Sequence, residues 1–96
     1  MLIVRKKAEE DTQQAYDWYT SAEQKLGIQF INEVERMFEM IETNPEMYGK
    51  VFVDLRRALC KRFPYAIYFT MSKNNVIIIG VLHQRRNPIK WQMRSV

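Results

Sequence analysis

The 96-residue sequence predicts a two-layer α+β domain of order β-α-α-β-β-β, with a helical hairpin packed on one face of an antiparallel sheet. Three observations predict it. Two β-rich runs, Arg62–Phe69 and Val76–His83, flank the polar stretch Ser72-Lys73-Asn74-Asn75, the pattern of a β-hairpin. From residue 8 to residue 43, apolar side chains recur at helical spacing in two consecutive stretches. The length supports one modest hydrophobic core, so residues 1–96 are expected to be a single domain.

In chain order, Leu2-Ile3-Val4 is a short strand that needs a neighbour, because a lone strand cannot hold its ladder. Ala8-Glu9-Glu10-Asp11 puts acids in a first helical turn, where the positive end of the helix dipole favours them. Ala8, Ala15, Trp18, Tyr19, Ala22 and Leu26 line one face of that helix, and Gly27 reads as its left-handed stop. A second helix then begins at Ile28 with the stripe Ile31, Val34, Phe38 and Ile41. It ends at Asn44-Pro45, because a residue preceding proline is pushed out of helical geometry. So short a link makes the two helices an antiparallel hairpin. Glu33, Glu35, Glu39 and Glu42 fall mostly on the far side and read as a solvated face.

Residues 51–63 read as one or two strands, broken near Asp54. In the second piece Leu55, Arg57, Leu59, Lys61 and Phe63 share one face, and Arg56, Ala58, Cys60 and Arg62 the other. Cys60 reads as a small buried residue, the usual fate of a free cysteine. Pro64 can open the next strand, since a first residue need not donate to the ladder. Val76–His83 is apolar at both alternating sets of positions and is expected to be an inner strand covered on each side. The tail Pro88–Arg94 is a helical turn or an extended arm.

Charge divides the chain. Residues 1–54 hold all eleven Asp/Glu and six of the fifteen Lys/Arg, whereas residues 55–96 hold nine Lys/Arg and no acid. Unopposed cations repel one another in a compact domain, so an acidic protein or a nucleic acid is the natural partner. The N-terminus lacks a secretory pattern and no run approaches the roughly 18 apolar residues of a membrane span. With a single cysteine, the expected setting is the reducing cytoplasm.

One histidine, one cysteine and no C-terminal carboxylate cannot assemble a zinc site or a nucleophilic triad, and three scattered glycines make no phosphate loop. No metal or other cofactor is expected. What remains is the basic-aromatic set Arg56, Arg57, Lys61, Arg62, His83, Arg85, Arg86, Lys90, Trp91 and Arg94. Cleavage of RNA by its own 2′-hydroxyl needs a base, an acid and a cation, which His83, Arg85 and Arg86 could supply. Trp91 could stack on a base. The structural alternatives are a strand-end histidine bonded to backbone and a tryptophan that plugs the sheet edge.

These residues carry a resemblance. From Ala15-Tyr16-Asp17-Trp18-Tyr19, through Leu26-Gly27-Ile28-Gln29-Phe30 and Asn44-Pro45, to Arg57–Tyr68 and Val81–Pro88 with Trp91 and Arg94, the sequence resembles the RelE/ParE superfamily of type II toxin-antitoxin toxins. The resemblance implies the same fold, a helical hairpin on an antiparallel sheet. Ribosome-dependent mRNA-cleaving members carry an arginine where Ala66 stands here, and a further basic residue near Gln84, a place that Arg85 could fill. ParE-like members are instead implied to poison DNA gyrase by binding, and Arg-Phe-Pro-Tyr with His-x-Arg-Arg-x-Pro is more like that branch. On this reading Arg57, Arg62, Arg85, Arg86, Trp91 and Arg94 bind the target, and His83, Arg85 and Arg86 are catalytic only in a nuclease. The implied partner is an acidic antitoxin whose disordered tail folds onto the toxin, along the sheet or the helical hairpin, and buries Trp18, Tyr19 or the toxin's own C-terminal tail. The alternatives are an mRNA endonuclease of the RelE type, acting on the ribosome, and a nontoxic basic domain that binds protein or RNA.

Overall fold

The computed structural model describes residues 1–85. It runs β1 (Leu2–Val4), α1 (Lys6–Ala22), α2 (Gln24–Thr43), a 3-10 turn (Pro45–Met47), β2 (Lys50–Phe52), β3 (Leu55–Leu59), β4 (Tyr65–Ser72) and β5 (Asn75–His83). The strands form one five-stranded sheet in the order β1-β5-β4-β3-β2. The expected two-layer α+β architecture is present, with the helices against one face of the sheet. Residues 51–63 resolve into two strands turning at Val53-Asp54, so four strands follow the helices. The ladder is antiparallel except at one edge, where β1 pairs with β5 in parallel, from Leu2 opposite Val76 to Val4 opposite Ile78.

Two boundaries differ from expectation, and both have physical reasons. Gly27 does not stop a helix: it lies inside α2, without a positive φ, and the break comes four residues earlier at Glu23, whose backbone is extended. The glycine is needed because the helices cross there. A Cβ at Gly27 would stand 1.9 Å from Thr20 Oγ1, so only hydrogen fits. Leu26 accordingly belongs to α2. The acids differ too. Glu33 is buried, while Glu35, Glu39 and Glu42 are exposed as expected. Asp11 lies beyond the first turn of α1 and reaches the sheet, its Oδ2 accepting the Val81 backbone N–H at 3.1 Å.

The core lies on both sides of the sheet. Ala8 and Ala15 bring α1 close to β5, and Phe30, Val34, Met37 and Ile41 of α2 pack with Ile67, Phe69, Val76, Ile78 and Val81. Leu55, Ala66, Tyr68, Ile79 and Leu82 form a second cluster, which side-chain alternation places on the helix-free face. Strand β5 is thus buried on both faces, as its composition requires. Its register slips once: Phe69 faces Ile78 but Tyr68 faces Gly80, leaving Ile79 as the extra residue of a β-bulge. Past the bulge the alternation is reversed, so Val81 and His83 share the helix side with Ile78, three and five residues earlier.

Candidate functional site

One end of the sheet gathers most of the described candidate residues. There β3 and β5 finish and β4 begins, so the loop Cys60–Pro64 and the exit His83–Arg85 lie side by side. Gln84 ties them together: its backbone N–H donates to the Pro64 carbonyl at 2.8 Å and its Nε2 to the Tyr65 carbonyl at 3.3 Å. The loop closes on itself through Cys60 N–H to the Tyr65 carbonyl (2.9 Å) and Tyr65 N–H to the Phe63 carbonyl (2.8 Å). Pro64 therefore precedes the strand, within the loop, and its free carbonyl is the anchor that Gln84 uses.

Aromatic rings fix this end to the helices. Phe63 meets Tyr19 edge-on at 4.9 Å and Phe30 at 5.3 Å, and Tyr65 meets Phe30 at 5.1 Å and His83 at 5.3 Å. Such tilted pairs add about 0.5–1.5 kcal/mol each beyond their buried area. Tyr19 is thus a half-buried member of the cluster, whereas its neighbour Trp18 is 64% exposed on α1.

The cations divide by role. Lys61, Arg62 and Arg85 are exposed, and among the described residues none of them has an ion-pair partner. Arg57 is also exposed, but it lies further along β3, opposite Tyr68 and on the helix-free face. Arg56 is structural: its Nη1 donates to the Tyr48 carbonyl at 2.6 Å and holds the segment before β2. Arg86, Trp91 and Arg94 lie outside the described residues.

His83 is oriented by backbone. Its Nδ1 accepts the Arg85 N–H at 3.2 Å, so the neutral ring carries its proton on Nε2. As placed, the ring can donate a proton from Nε2 but offers no free nitrogen lone pair to take one. Cys60 is buried beside the loop, and burial first, then the charge of Glu33, push its thiol up to about 12, with Arg36 pulling the other way. A thiol held neutral is a poor nucleophile. Among the described residues no group of His, Cys, Asp and Glu could hold a metal ion.

Sequence reasoning missed two residues of this site. Gln84 gives no pattern signal, because its role depends on a strand ending beside it. Glu33 was placed on a solvated face by its acidic neighbours, but its position one residue before buried Val34 lies at the edge of the apolar stripe, under the loop.

Fold and site together define a small basic α+β domain that presents Lys61, Arg62 and Arg85, without ion-pair partners among the described residues, at one end of a five-stranded sheet. The chain belongs to the family described as the ParE toxin of type II toxin-antitoxin systems, parDE, whose model matches residues 2–88. Among solved structures, the chromosomal ParDE toxin-antitoxin system from P. aeruginosa shares the fold, with a TM-score of 0.75 at 15% identity over 85% of this chain and 92% of that one. No curated protein sequence matches this chain. The family makes this protein a type II toxin with an antitoxin partner, and no helix among the described residues is long and apolar enough to cross a membrane.

Proposed function

We propose that this toxin inhibits growth from the cytoplasm by binding DNA gyrase, and that an acidic antitoxin neutralises it by covering the basic end of the sheet. The observation that carries the reading is the set Lys61, Arg62 and Arg85, exposed and without ion-pair partners among the described residues at the end where β5 leaves the sheet. In the proposal Arg86, Trp91 and Arg94 also bind the target, Arg57 does so from the helix-free face, and Trp18 is an exposed anchor for the antitoxin. Two features favour binding over RNA cleavage. Ala66, where nucleases of the superfamily carry an arginine, is fully buried and supplies no cation. His83 has its acceptor nitrogen engaged by Arg85 N–H.

A supercoiling assay tests this. Wild-type protein at micromolar concentration is expected to block supercoiling or trap gyrase on cleaved DNA, and the pair Arg85→Ala with Arg86→Ala to do neither while keeping its fold. No effect of the wild type on gyrase would refute the reading. Toxin-dependent cuts in a translated message would replace it with ribosome-dependent nuclease activity, in which His83, Arg85 and Arg86 would be the catalytic residues.

A further inference from the structure

Glu33 is the one charged side chain that is buried among the described residues, 5% exposed. Burying a carboxylate is costly unless its lone pairs are engaged, and here only one oxygen is well served. Oε2 accepts the Arg62 backbone N–H at 3.0 Å, across 29 residues of chain. Oε1 has no hydrogen-bond partner, and the nearest cation, Arg36 Nη2, lies 3.9 Å away on a half-exposed side chain. Stability alone would favour an apolar residue of similar volume at such a position.

The loop shows what the carboxylate does instead. Cys60, Phe63, Pro64 and Tyr65 are each held by backbone hydrogen bonds within the loop or to Gln84, and Phe63 also by its ring. The apex, Lys61-Arg62, has none of these ties. Among the described residues its hydrogen bond to Glu33 is the only one it makes. We infer that Glu33 is a positioning residue: from α2 it fixes the backbone at Arg62 and so sets the direction in which Lys61 and Arg62 meet an anionic partner. The identity of that partner rests on the proposed function, whereas the presentation of the cations does not.

The test compares Glu33→Gln, which keeps an acceptor, with Glu33→Leu, which fills the same space without one. Four readouts are taken: amide exchange at Arg62, thermal unfolding, the salt concentration that elutes the protein from heparin, and growth inhibition on expression. Glu33→Leu is expected to exchange the Arg62 amide about tenfold faster. It should also elute at lower salt and lose growth inhibition, while melting at or above the wild-type temperature. Glu33→Gln should restore amide protection, elution and growth inhibition. Wild-type elution and growth inhibition in Glu33→Leu would overturn the inference. So would a melting temperature that falls in step with binding, or a Glu33→Gln variant that fails alongside Glu33→Leu. If the wild type proves inactive on gyrase, only the proposed target falls, and heparin elution with amide exchange still decides the role of Glu33.

Discussion

Replacing Gly27 by alanine tests whether the helical hairpin depends on close approach at its crossing. The added Cβ would stand 1.9 Å from Thr20 Oγ1, 3.1 Å from Thr20 Cβ and 3.2 Å from Tyr16 Cε1. Comfortable carbon contacts lie near 3.5–4.0 Å, so all three are too short. The contact with the Thr20 hydroxyl is the severe one, whereas the two carbon contacts need only a few tenths of an ångström of adjustment. Alanine gains about 1 kcal/mol over glycine in helix propensity, and overpacking costs about 1–3 kcal/mol. The expected net loss is about 1 kcal/mol, or about 4–8 °C in melting temperature for a domain of this size. Thr20→Ala should relieve it, because the hydroxyl it removes is buried and has no hydrogen-bond partner. The double variant should then recover, with a coupling of about 1–2 kcal/mol. Urea titrations of the four proteins, with unchanged slopes, give these values. A Gly27→Ala protein more stable than wild type, or a cycle that is additive, would show that the crossing has room and that the argument is wrong.

Other expectations follow from single residues. Because the Cys60 thiol is raised in the fold from 9.0 to about 12, the unfolded chain releases that proton first. The associated stability is complete below about pH 9 and is lost as pH climbs towards 12. Cys60→Ala should show a flatter loss than wild type across that window, and rapid alkylation of the native thiol near neutral pH would contradict the burial. Val53→Gly should stabilise by up to about 1 kcal/mol, since Val53 has a φ of 50° and is 73% exposed, so little packing is lost. A destabilised variant in chemical denaturation would argue that the turn has another geometry. Trp18→Ala should weaken the antitoxin about 30-fold or more in titration calorimetry, the usual cost of removing an interfacial tryptophan anchor. An unchanged affinity would place the antitoxin elsewhere.

Much of the architecture was legible because periodicity reports burial. The double-sided apolar run at Val76–His83 reads directly as an inner strand, and Asn44-Pro45 ends α2 where the chain stereochemistry requires. Gly27 misled because a glycine answers two different needs, a left-handed backbone and a missing side chain, and local sequence does not say which. The break at Glu23 has no glycine or proline to mark it; the packing of two amphipathic faces decides it. At the candidate site, the basic residues were legible as charge but not as roles. Arg56 is occupied by a carbonyl, Arg57 points to the other face from His83, and Glu33 works through a backbone amide. Each of those assignments depends on contacts between residues distant in sequence.

The bulge at Ile79 carries a consequence for how such toxins diverge. Removing that one residue would turn every later side chain of β5 over, sending the imidazole of His83 to the opposite surface and Leu82 into the helical layer. The chemistry offered at the exit of the strand is therefore decided by a residue count well upstream of it. Two relatives with identical motifs but unequal spacing before them would show a partner opposite sides of the same ring.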